Sequence, residues 1–263
     1  MKVDEVIEYL DNKLQAKRFK DDRKDNGVLI KGKKEVNKIA TATNTSFETI
    51  NKVIKEKVDF LIVHHPSWEW ADQDNREKKL KLLEKNGISL YVSHDAMDCV
   101  TEIGMGDTLA KLFGIKVEGR FADWNILPWS KKEDDKRVKD VYVGVYGTLK
   151  KEMNFEDFVD LVEKKLGCKI DSWKCKDKVK KIGIITGGGL ESMWIKESKE
   201  LGCDTYLSGQ TKMFAVLYGI ESGLNIISAT HYATESIGMK GLVNVIKKDL
   251  GLDVIFIKEV NTG

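Results

Sequence analysis

The sequence contains the same succession of helical and strand-like segments twice, and this repetition constrains the fold more than any other feature. Apolar residues recur at helical spacing in residues 3–14 and again in residues 155–166. Each of these helices is followed by three short segments typical of strands, at 36–41, 58–63 and 87–94 in one half and at 179–184, 203–208 and 223–228 in the other. The chain therefore carries an approximate internal duplication.

Strands that alternate with helices predict βαβ units and place the chain in the α/β fold class. We predict two similar α/β halves related by an internal duplication, each with a mainly parallel sheet flanked by helices. Residues 1–128 form the first predicted half and residues 141–263 the second. Residues 129–140 directly follow Pro128 and carry charges of both signs without periodicity, which predicts a charged linker.

The composition is that of a globular protein. Hydrophobic residues make up 41% of the 263 residues and charged residues 33%, which excludes largely disordered classes. The formal net charge is +2, so no overall field demands a nucleic acid or a membrane as partner. The lysine-rich stretches at 31–34 and 176–181 predict either a local basic surface or ordinary solvated side chains.

No apolar run approaches the roughly 20 residues that cross a bilayer, and the first ten residues mix acids into a helical pattern, unlike a secretory signal. The four cysteines form no C-x-x-C pair and are too sparse for a disulfide framework. We therefore expect reduced thiols and a cytoplasmic protein.

The chain has four histidines, and every one follows a predicted strand. His64 and His65 follow the strand at 58–63, His94 ends the next strand, and His231 follows the last. Ligands of open parallel sheets bind at the carboxyl ends of strands. These histidines are therefore candidates for one shared cleft.

Asp98 and Glu235 each lie four residues after a histidine, in the pairs His94–Asp98 and His231–Glu235. On a helix, this spacing places both side chains on one face. Imidazole nitrogen with carboxylate oxygen suits Zn, Fe, Mn or Co. Crowding imidazoles and carboxylates together without a cation is costly, so the set predicts metal binding, although a lone histidine at a strand end is more often a structural residue. Adjacent His64 and His65 require either a bend before Pro66 or two separate ions, because side chains alternate along a strand.

Four motifs together resemble one family. They are the D-N-G-V-L stretch at 25–29, a hydrophobic strand ending in His64-His65-Pro66, the H-x-x-x-D element at 94–98 and the H-Y-x-x-E element at 231–235. The chain resembles the NIF-three-like proteins, which are also described as type 2 GTP cyclohydrolase I homologues, over nearly its whole length.

The resemblance implies a dinuclear site for two divalent metal ions (Fe, Zn, Mn or Co), with ligands His64, His65, Asp98, His231 and Glu235. It implies bridging roles for the two carboxylates and leaves His94 outside the ligand set, where it would orient a ligand or water. It also implies a ring-like homohexamer built from dimers.

The sequence departs from the family pattern at two places. Gln210 stands in a Ser-Gly-Gln segment where relatives often have Thr-Gly-Glu, and Thr230 replaces the glycine before His231. An amide cannot act as a base. Catalytic residues therefore stay unassigned, with Asp98, Glu235 and His94 as acid/base candidates.

Two further features have competing interpretations. The glycine-rich segment at 186–192 follows a strand and opens a helix, so it predicts either a phosphate cradle or a tight turn that needs glycine. Trp68 and Trp70, close to the histidine pair, are interpreted either as a stacking surface for a ring substrate or as packing at an oligomer contact.

Three functions are compatible with these residues. The first is a metal-dependent hydrolase acting on a small molecule, with a nucleotide suggested by the cyclohydrolase resemblance. The second is a metal carrier or cofactor-assembly protein that releases an ion to a partner. The third is a scaffold that binds protein or nucleic acid, which the near-zero net charge disfavours for nucleic acid.

Overall fold

The computed structural model describes residues 1–19, 25–127, 138–210 and 212–260. Up to residue 103, the helices and strands are α1 (Val3–Lys13), β1 (Asn26–Ile30), β2 (Lys38–Asn44), α2 (Phe47–Lys55), β3 (Phe60–His65), α3 (Glu69–Asp72), α4 (Asp74–Lys85), β4 (Ser89–Ser93) and α5 (Asp95–Cys99). Short 3-10 turns lie at Ala16–Phe19 and Trp124–Ile126.

The elements after residue 103 are α6 (Met105–Leu112), β5 (Ile115–Asp123), β6 (Tyr142–Asn154), α7 (Phe155–Leu166), β7 (Asp171–Trp173), β8 (Lys178–Ile184), α8 (Ser192–Glu200), β9 (Thr205–Ser208), α9 (Met213–Glu221), β10 (Asn225–Ser228), α10 (His231–Leu250) and β11 (Asp253–Phe256). Each predicted strand segment of the duplication coincides with one of these strands. The predicted linker at 129–140 lies mostly outside the described residues.

The chain divides into two compact units. The first is built mainly from Met1–Ile103 and Met239–Val260, and the second mainly from Gly104–Leu127 and Lys139–Gly238. This grouping differs from the predicted halves because β5 pairs with β6 of the second unit and β11 pairs with β2 of the first. The end of α10 therefore belongs with the first unit.

The sheet of the first unit has the order β1-β4-β3-β2-β11. Its strands pair in parallel except β1, which runs antiparallel to β4 at the edge. The helices between β2, β3 and β4 make the crossover connections that parallel pairing requires. This sheet is mainly parallel, as predicted.

The sheet of the second unit has the order β5-β6-β8-β9-β10-β7. Parallel pairing occurs along β8-β9-β10, whereas β5, β6 and β7 join through antiparallel pairs. The α/β class and the two sheets flanked by helices are confirmed, and the second sheet is mixed. The difference arises because β6 follows β5 and returns alongside it, a pairing that needs no crossover helix.

The core of the first unit forms where α2 covers the sheet. Ser46 caps α2 by accepting the N–H of Thr49, and Ile50 and Val53 lie one helical turn apart on its buried face. They pack in one fully buried cluster with Leu61 of β3. Burying each such aliphatic side chain stabilises the fold by about 1.5–3 kcal/mol. The strand that carries the histidines is thereby fixed.

The core of the second unit forms in the same way. Phe158 and Val162 of α7 are fully buried against Ile182 of β8 and Leu207 of β9. Gly167 ends α7 in the left-handed conformation that favours glycine.

Among the described residues, no helix is both long enough and apolar enough for a membrane span.

Candidate metal centre

The first unit places three histidines at the carboxyl ends of two neighbouring parallel strands. His64 and His65 end β3, and His94 directly follows β4. One ring nitrogen from each histidine lies within 4.8 Å of those of the other two. The predicted clustering at strand ends is therefore present within this unit.

His64 is fully buried and has a defined tautomer. Its Nδ1 lies 2.9 Å from the main-chain oxygen of Ser93. A carbonyl oxygen only accepts, so Nδ1 carries the hydrogen and Nε2 presents a lone pair when the ring is neutral. This Nε2 faces Oδ1 of Asp98 at 3.7 Å. Two electron-pair donors facing each other in a buried place form a suitable arrangement for a cation.

His65 has the same tautomer, fixed by a different partner. Its Nδ1 lies 2.8 Å from Oδ1 of Asn44, on the neighbouring strand β2. The rings of His64 and His65 lie 4.5 Å apart although the residues are adjacent in a strand. Pairing between β3 and β4 stops at Val63, whereas the pairing of β3 with β2 continues to His65, opposite Asn44.

His94 is held by the carboxylate beside it. Its Nδ1 lies 3.1 Å from Oδ1 of Asp95, and its ring stacks on that of His64 with a centroid distance of 4.8 Å. Burial disfavours the charged imidazole, but the Asp95 carboxylate outweighs this effect and keeps the pKa of His94 above its ordinary value. His94, Asp95 and Asp98 form a second group of ligand atoms within 4.8 Å of one another.

Trp68 forms a wall of this cluster. Its ring centroid lies 5.3 Å from that of His65 and 5.4 Å from that of His94, and its indole N–H donates to the buried carboxylate of Asp25 at 2.9 Å. Trp70 stacks on Trp68 and is 76% exposed. Trp68 is therefore a packing residue of the site, whereas Trp70 has an open surface.

The second unit places an imidazole and a carboxylate on one face of a helix. His231 and Glu235 lie in the first turns of α10, with Nε2 and Oε1 2.9 Å apart. The predicted i,i+4 geometry is thus present here. For His94 and Asp98 it is altered, because His94 is the non-helical residue that precedes α5.

The glycine-rich segment lies directly against this pair. Gly187 has φ of +58°, and a Cβ there would lie 2.0 Å from Oε1 of Glu235 and 2.8 Å from Nε2 of His231. The N–H of Gly187 donates to Oγ1 of Thr234 at 3.0 Å, and its oxygen accepts from the N–H of Gly209. Glycine is therefore required both for the conformation and for the space beside the two side chains.

Gln210 belongs to the same surroundings. A Cβ on Gly188 would lie 3.3 Å from its Oε1 and 3.9 Å from Cε1 of His231. The Gln210 amide is therefore close to the imidazole. Its oxygen and N–H groups can bind a polar ligand but cannot take up a proton.

The lysine-rich stretches mainly make contacts within the protein. Lys31 and Lys33 pair with Asp4 and Asp59, at 2.8 and 3.0 Å. In the second stretch, Lys181 pairs with Glu118, and the ammonium of Lys180 donates to the main-chain oxygen of residue 149. These ion pairs compensate part of the positive charge of the two stretches.

The donor sets in both units fit a metal ion. The first unit offers imidazole Nε2 atoms whose Nδ1–H groups are already committed to fixed oxygens, which is the usual arrangement of histidine ligands. The second offers an imidazole and a carboxylate beside a main chain without side chains. Nitrogen and oxygen donors of this kind suit Zn, Fe, Mn and Co.

Several residues of the site were not predicted from the sequence. These are Asn44, Ser93 and Asp95, which orient the three histidines. The sequence gives one indication for Asp95, which is its position next to His94. Asn44 and the Ser93 oxygen had none, because their contacts depend on the register between strands.

Comparison with known sequences gives matches over the whole chain. The family model described as Duf34/NIF3 (NGG1p interacting factor 3) matches residues 1–262. A GTP cyclohydrolase 1 type 2 homolog of Haemophilus influenzae is 32% identical over 259 residues, with 96% of each chain covered. A protein of the same description from Pyrococcus horikoshii is 30% identical, with 97% of this chain and 96% of that protein covered.

Solved structures agree with the sequence matches. The structure described as protein ybgI, of unknown function, matches with a TM-score of 0.85 and 27% identity, and both chains are covered completely. Reduced HcgD from Methanocaldococcus jannaschii matches with a TM-score of 0.76 and 28% identity over 98% of each chain. The resemblance drawn from the four motifs is confirmed, and the chain belongs to the Duf34/NIF3 family.

Proposed function

We propose that this protein is a dinuclear metal-dependent hydrolase. The observation that carries the proposal is the orientation of two adjacent histidines. His64 and His65 both donate Nδ1–H to fixed oxygens, so both direct Nε2 lone pairs outward, and Asp98 lies 3.7 Å from the first of them. This is the usual arrangement of histidine side chains that bind a metal ion.

The proposed centre has the five ligands that the family resemblance implies, His64, His65, Asp98, His231 and Glu235. We therefore propose that all five residues hold one pair of divalent cations. Asp98 and Glu235 are the proposed bridging ligands, because a shared carboxylate screens the repulsion between two cations.

Bound divalent cations supply Lewis acidity, which polarises a carbonyl, phosphoryl or ring-carbon centre toward attack by water. His94 is the proposed proton carrier. Asp95 holds its Nδ1 at 3.1 Å, which leaves Nε2 to accept or deliver a proton. Gln210 cannot take a base role, so we assign it to binding a polar group of the substrate.

The proposed substrate is a purine nucleotide. The support is the description of the relatives as GTP cyclohydrolase 1 type 2 homologs, together with the open face of Trp70, on which a ring can stack. The substrate class rests on that description more than on any base-reading side chain.

The metal assignment is tested by elemental analysis of protein purified without chelator. We expect two transition-metal ions per chain in the wild type and a loss of at least one in His64→Ala and in Glu235→Ala. Glu200→Ala is the matched control, since this carboxylate is 65% exposed at the end of α8 and should leave the metal content unchanged. A metal-free wild type, or variants that keep the full content, would contradict the proposal.

Hydrolysis is tested on the metal-loaded protein with GTP, a phosphodiester and a cyclic amide. Turnover of GTP that disappears in His64→Ala and persists in Glu200→Ala is expected. If the metal-loaded protein converts none of these compounds, the proposed hydrolase activity is refuted. Rapid exchange of one of the two ions would then favour the carrier function, because a carrier must release its ion to a partner.

We also propose a homohexamer built from dimers. Helix α9 exposes Met213, Phe214 and Leu217, with Phe214 74% exposed, and apolar faces of this kind mark contacts between proteins. Sedimentation equilibrium should give six times the chain mass of 29.8 kDa. A monomer at micromolar concentration would contradict this assembly.

A further inference from the structure

Asn44 orients one of the three clustered histidines through a side-chain amide. Its Oδ1 lies 2.8 Å from Nδ1 of His65, whereas His64 donates to a main-chain oxygen and His94 contacts the carboxylate of Asp95. An amide oxygen accepts the Nδ1–H and thereby leaves Nε2 without a hydrogen. If the amide nitrogen of Asn44 faced the ring instead, it would donate to Nδ1, and the hydrogen of the neutral His65 ring would lie on Nε2.

The buried carboxylate of Glu259 holds the main chain at Asn44. Glu259 is 5% exposed and accepts the main-chain N–H groups of Thr43 and Asn44, at 2.8 and 3.1 Å. It also accepts the hydroxyl of Thr49, which lies on α2, at 3.0 Å. The end of the chain thus anchors the end of β2 at the residue that faces His65.

The main chain of His65 is held separately. Its oxygen accepts the N–H of Thr45 at 3.1 Å and the Thr45 hydroxyl at 2.9 Å. The backbone and the ring therefore have different anchors. Removing the Asn44 amide should free the ring while the strand stays in place.

We infer that Asn44 is a positioning residue that selects the Nδ1–H tautomer of His65, with Glu259 as its support. The inference rests on the proposed function in one respect, that His65 uses Nε2 to bind a cation. Asn44 acts through the ring of His65, because its Oδ1 contacts Nδ1 of that ring. A hydrogen-bond partner behind a histidine ligand typically changes metal affinity 10- to 100-fold.

The tautomer is tested without metal, by NMR of protein carrying ¹⁵N-labelled histidine. We expect Nδ1–H for His65 in the wild type and in Asn44→Asp, which keeps an acceptor. Asn44→Leu has a similar volume without an acceptor and should shift His65 toward the Nε2–H form. Thr45→Val is the matched control, because it removes an equally close hydrogen bond to His65 without touching the ring.

Metal affinity is the second measurement, taken by competition between Zn²⁺ chelators and the protein. Asn44→Leu should weaken Zn²⁺ binding about 10- to 100-fold, and Asn44→Asp should restore it. Glu259→Gln should weaken Zn²⁺ binding less, since the single Gln oxygen can still accept from two of the three donor groups. Thr45→Val should leave affinity unchanged within error.

The outcomes separate this inference from the proposed function. If the wild type binds no Zn²⁺ but the tautomers change as expected, the metal function fails and the positioning role stands. Nδ1–H retained in Asn44→Leu, or lost in Asn44→Asp, overturns the inference whatever the metal result. Equal Zn²⁺ affinities of wild type and Asn44→Leu overturn it as well.

Discussion

The two units have nearly the same contacts at the amino ends of their parallel strands. Asp59 lies just before β3 and accepts the N–H groups of Asn37 and Lys38, next to the start of β2. Asp204 lies just before β9 and accepts two main-chain N–H groups of β8 in the same way. The main-chain oxygen of Asp59 accepts the N–H of Ser89, the first residue of β4. In the same way, the main-chain oxygen of Asp204 accepts the N–H of Asn225, the first residue of β10.

The carboxyl ends of β3 and β9 differ. In the first unit, β3 and β4 end in three histidines, whereas in the second β9 ends at Ser208 and is followed by a glycine. The second unit instead carries its imidazole and carboxylate on α10, with the glycine-rich segment against them. The amino ends of the strands therefore carry the same contacts in both units, whereas the residues at the carboxyl ends differ.

The largest expected effect tests the space beside the second unit's ligands. Gly187→Ala places a Cβ 2.0 Å from Oε1 of Glu235 at a positive φ. The strained φ costs about 1–2 kcal/mol, and displacing Glu235 costs about 1–3 kcal/mol more. Urea unfolding measures the resulting decrease in the free energy of unfolding.

Gly167→Ala is the matched control for this variant. Gly167 has φ of +66°, and a Cβ there would meet no atom within 4 Å, so the variant reports the backbone strain alone. Equal losses in the two variants would show that the Glu235 contact is unimportant. A larger loss in Gly187→Ala confirms that the segment is shaped around the ligands.

A middle-sized effect tests the equivalence of the two aspartates. Asp59→Asn and Asp204→Asn should each lower the free energy of unfolding by about 1–3 kcal/mol at pH 7, because the amide nitrogen that replaces Oδ1 cannot accept from the Lys33 ammonium or the Thr205 hydroxyl. Asp253→Asn, 58% exposed, should change it by less than about 0.5 kcal/mol. A large decrease in the free energy of unfolding in only one of Asp59→Asn and Asp204→Asn would show that the two aspartates are not equivalent.

The Asp59 effect should also depend on pH. Burial tends to raise its pKa, but hydrogen bonds from Asn37, Lys33 and Lys38 outweigh burial and hold the pKa below its ordinary value. The stabilisation is therefore present above the unfolded pKa of about 4 and is lost as the pH falls through the lower folded pKa. The stability gap between wild type and Asp59→Asn should narrow below pH 4 in urea unfolding curves, and a constant gap would disprove the assignment.

The smallest expected effect exchanges equivalent core residues. Val58 and Cys203 precede the two aspartates and are 2% and 3% exposed. Burial raises the pKa of Cys203 to about 11, so the thiol stays neutral and packs as a small apolar group. Cys203→Val and Val58→Cys should each cost less than about 1.5 kcal/mol. A larger drop in Tm for either variant would show that the two positions are packed differently.

The sequence predicted most of the parallel strands and where the histidines lie on them, because strand periodicity and the duplication are local signals. It predicted the His231–Glu235 pair, since both residues lie within one regular helix. The antiparallel strands β5, β6 and β7, and the assignment of residues 104–127 and 239–260 to units, depend on pairing between distant segments. The contacts of Asn44 and Ser93 depend on strand register for the same reason.

The central claim is the proposal that His64, His65, Asp98, His231 and Glu235 hold one pair of cations. Anomalous diffraction at the metal edge, from crystals of protein loaded with Mn²⁺ or Zn²⁺, tests it directly. We predict two peaks, with bonds of about 2.0–2.2 Å from these five residues. Fully loaded crystals with no peak at these residues, or with peaks that any of the five does not bind, would contradict it.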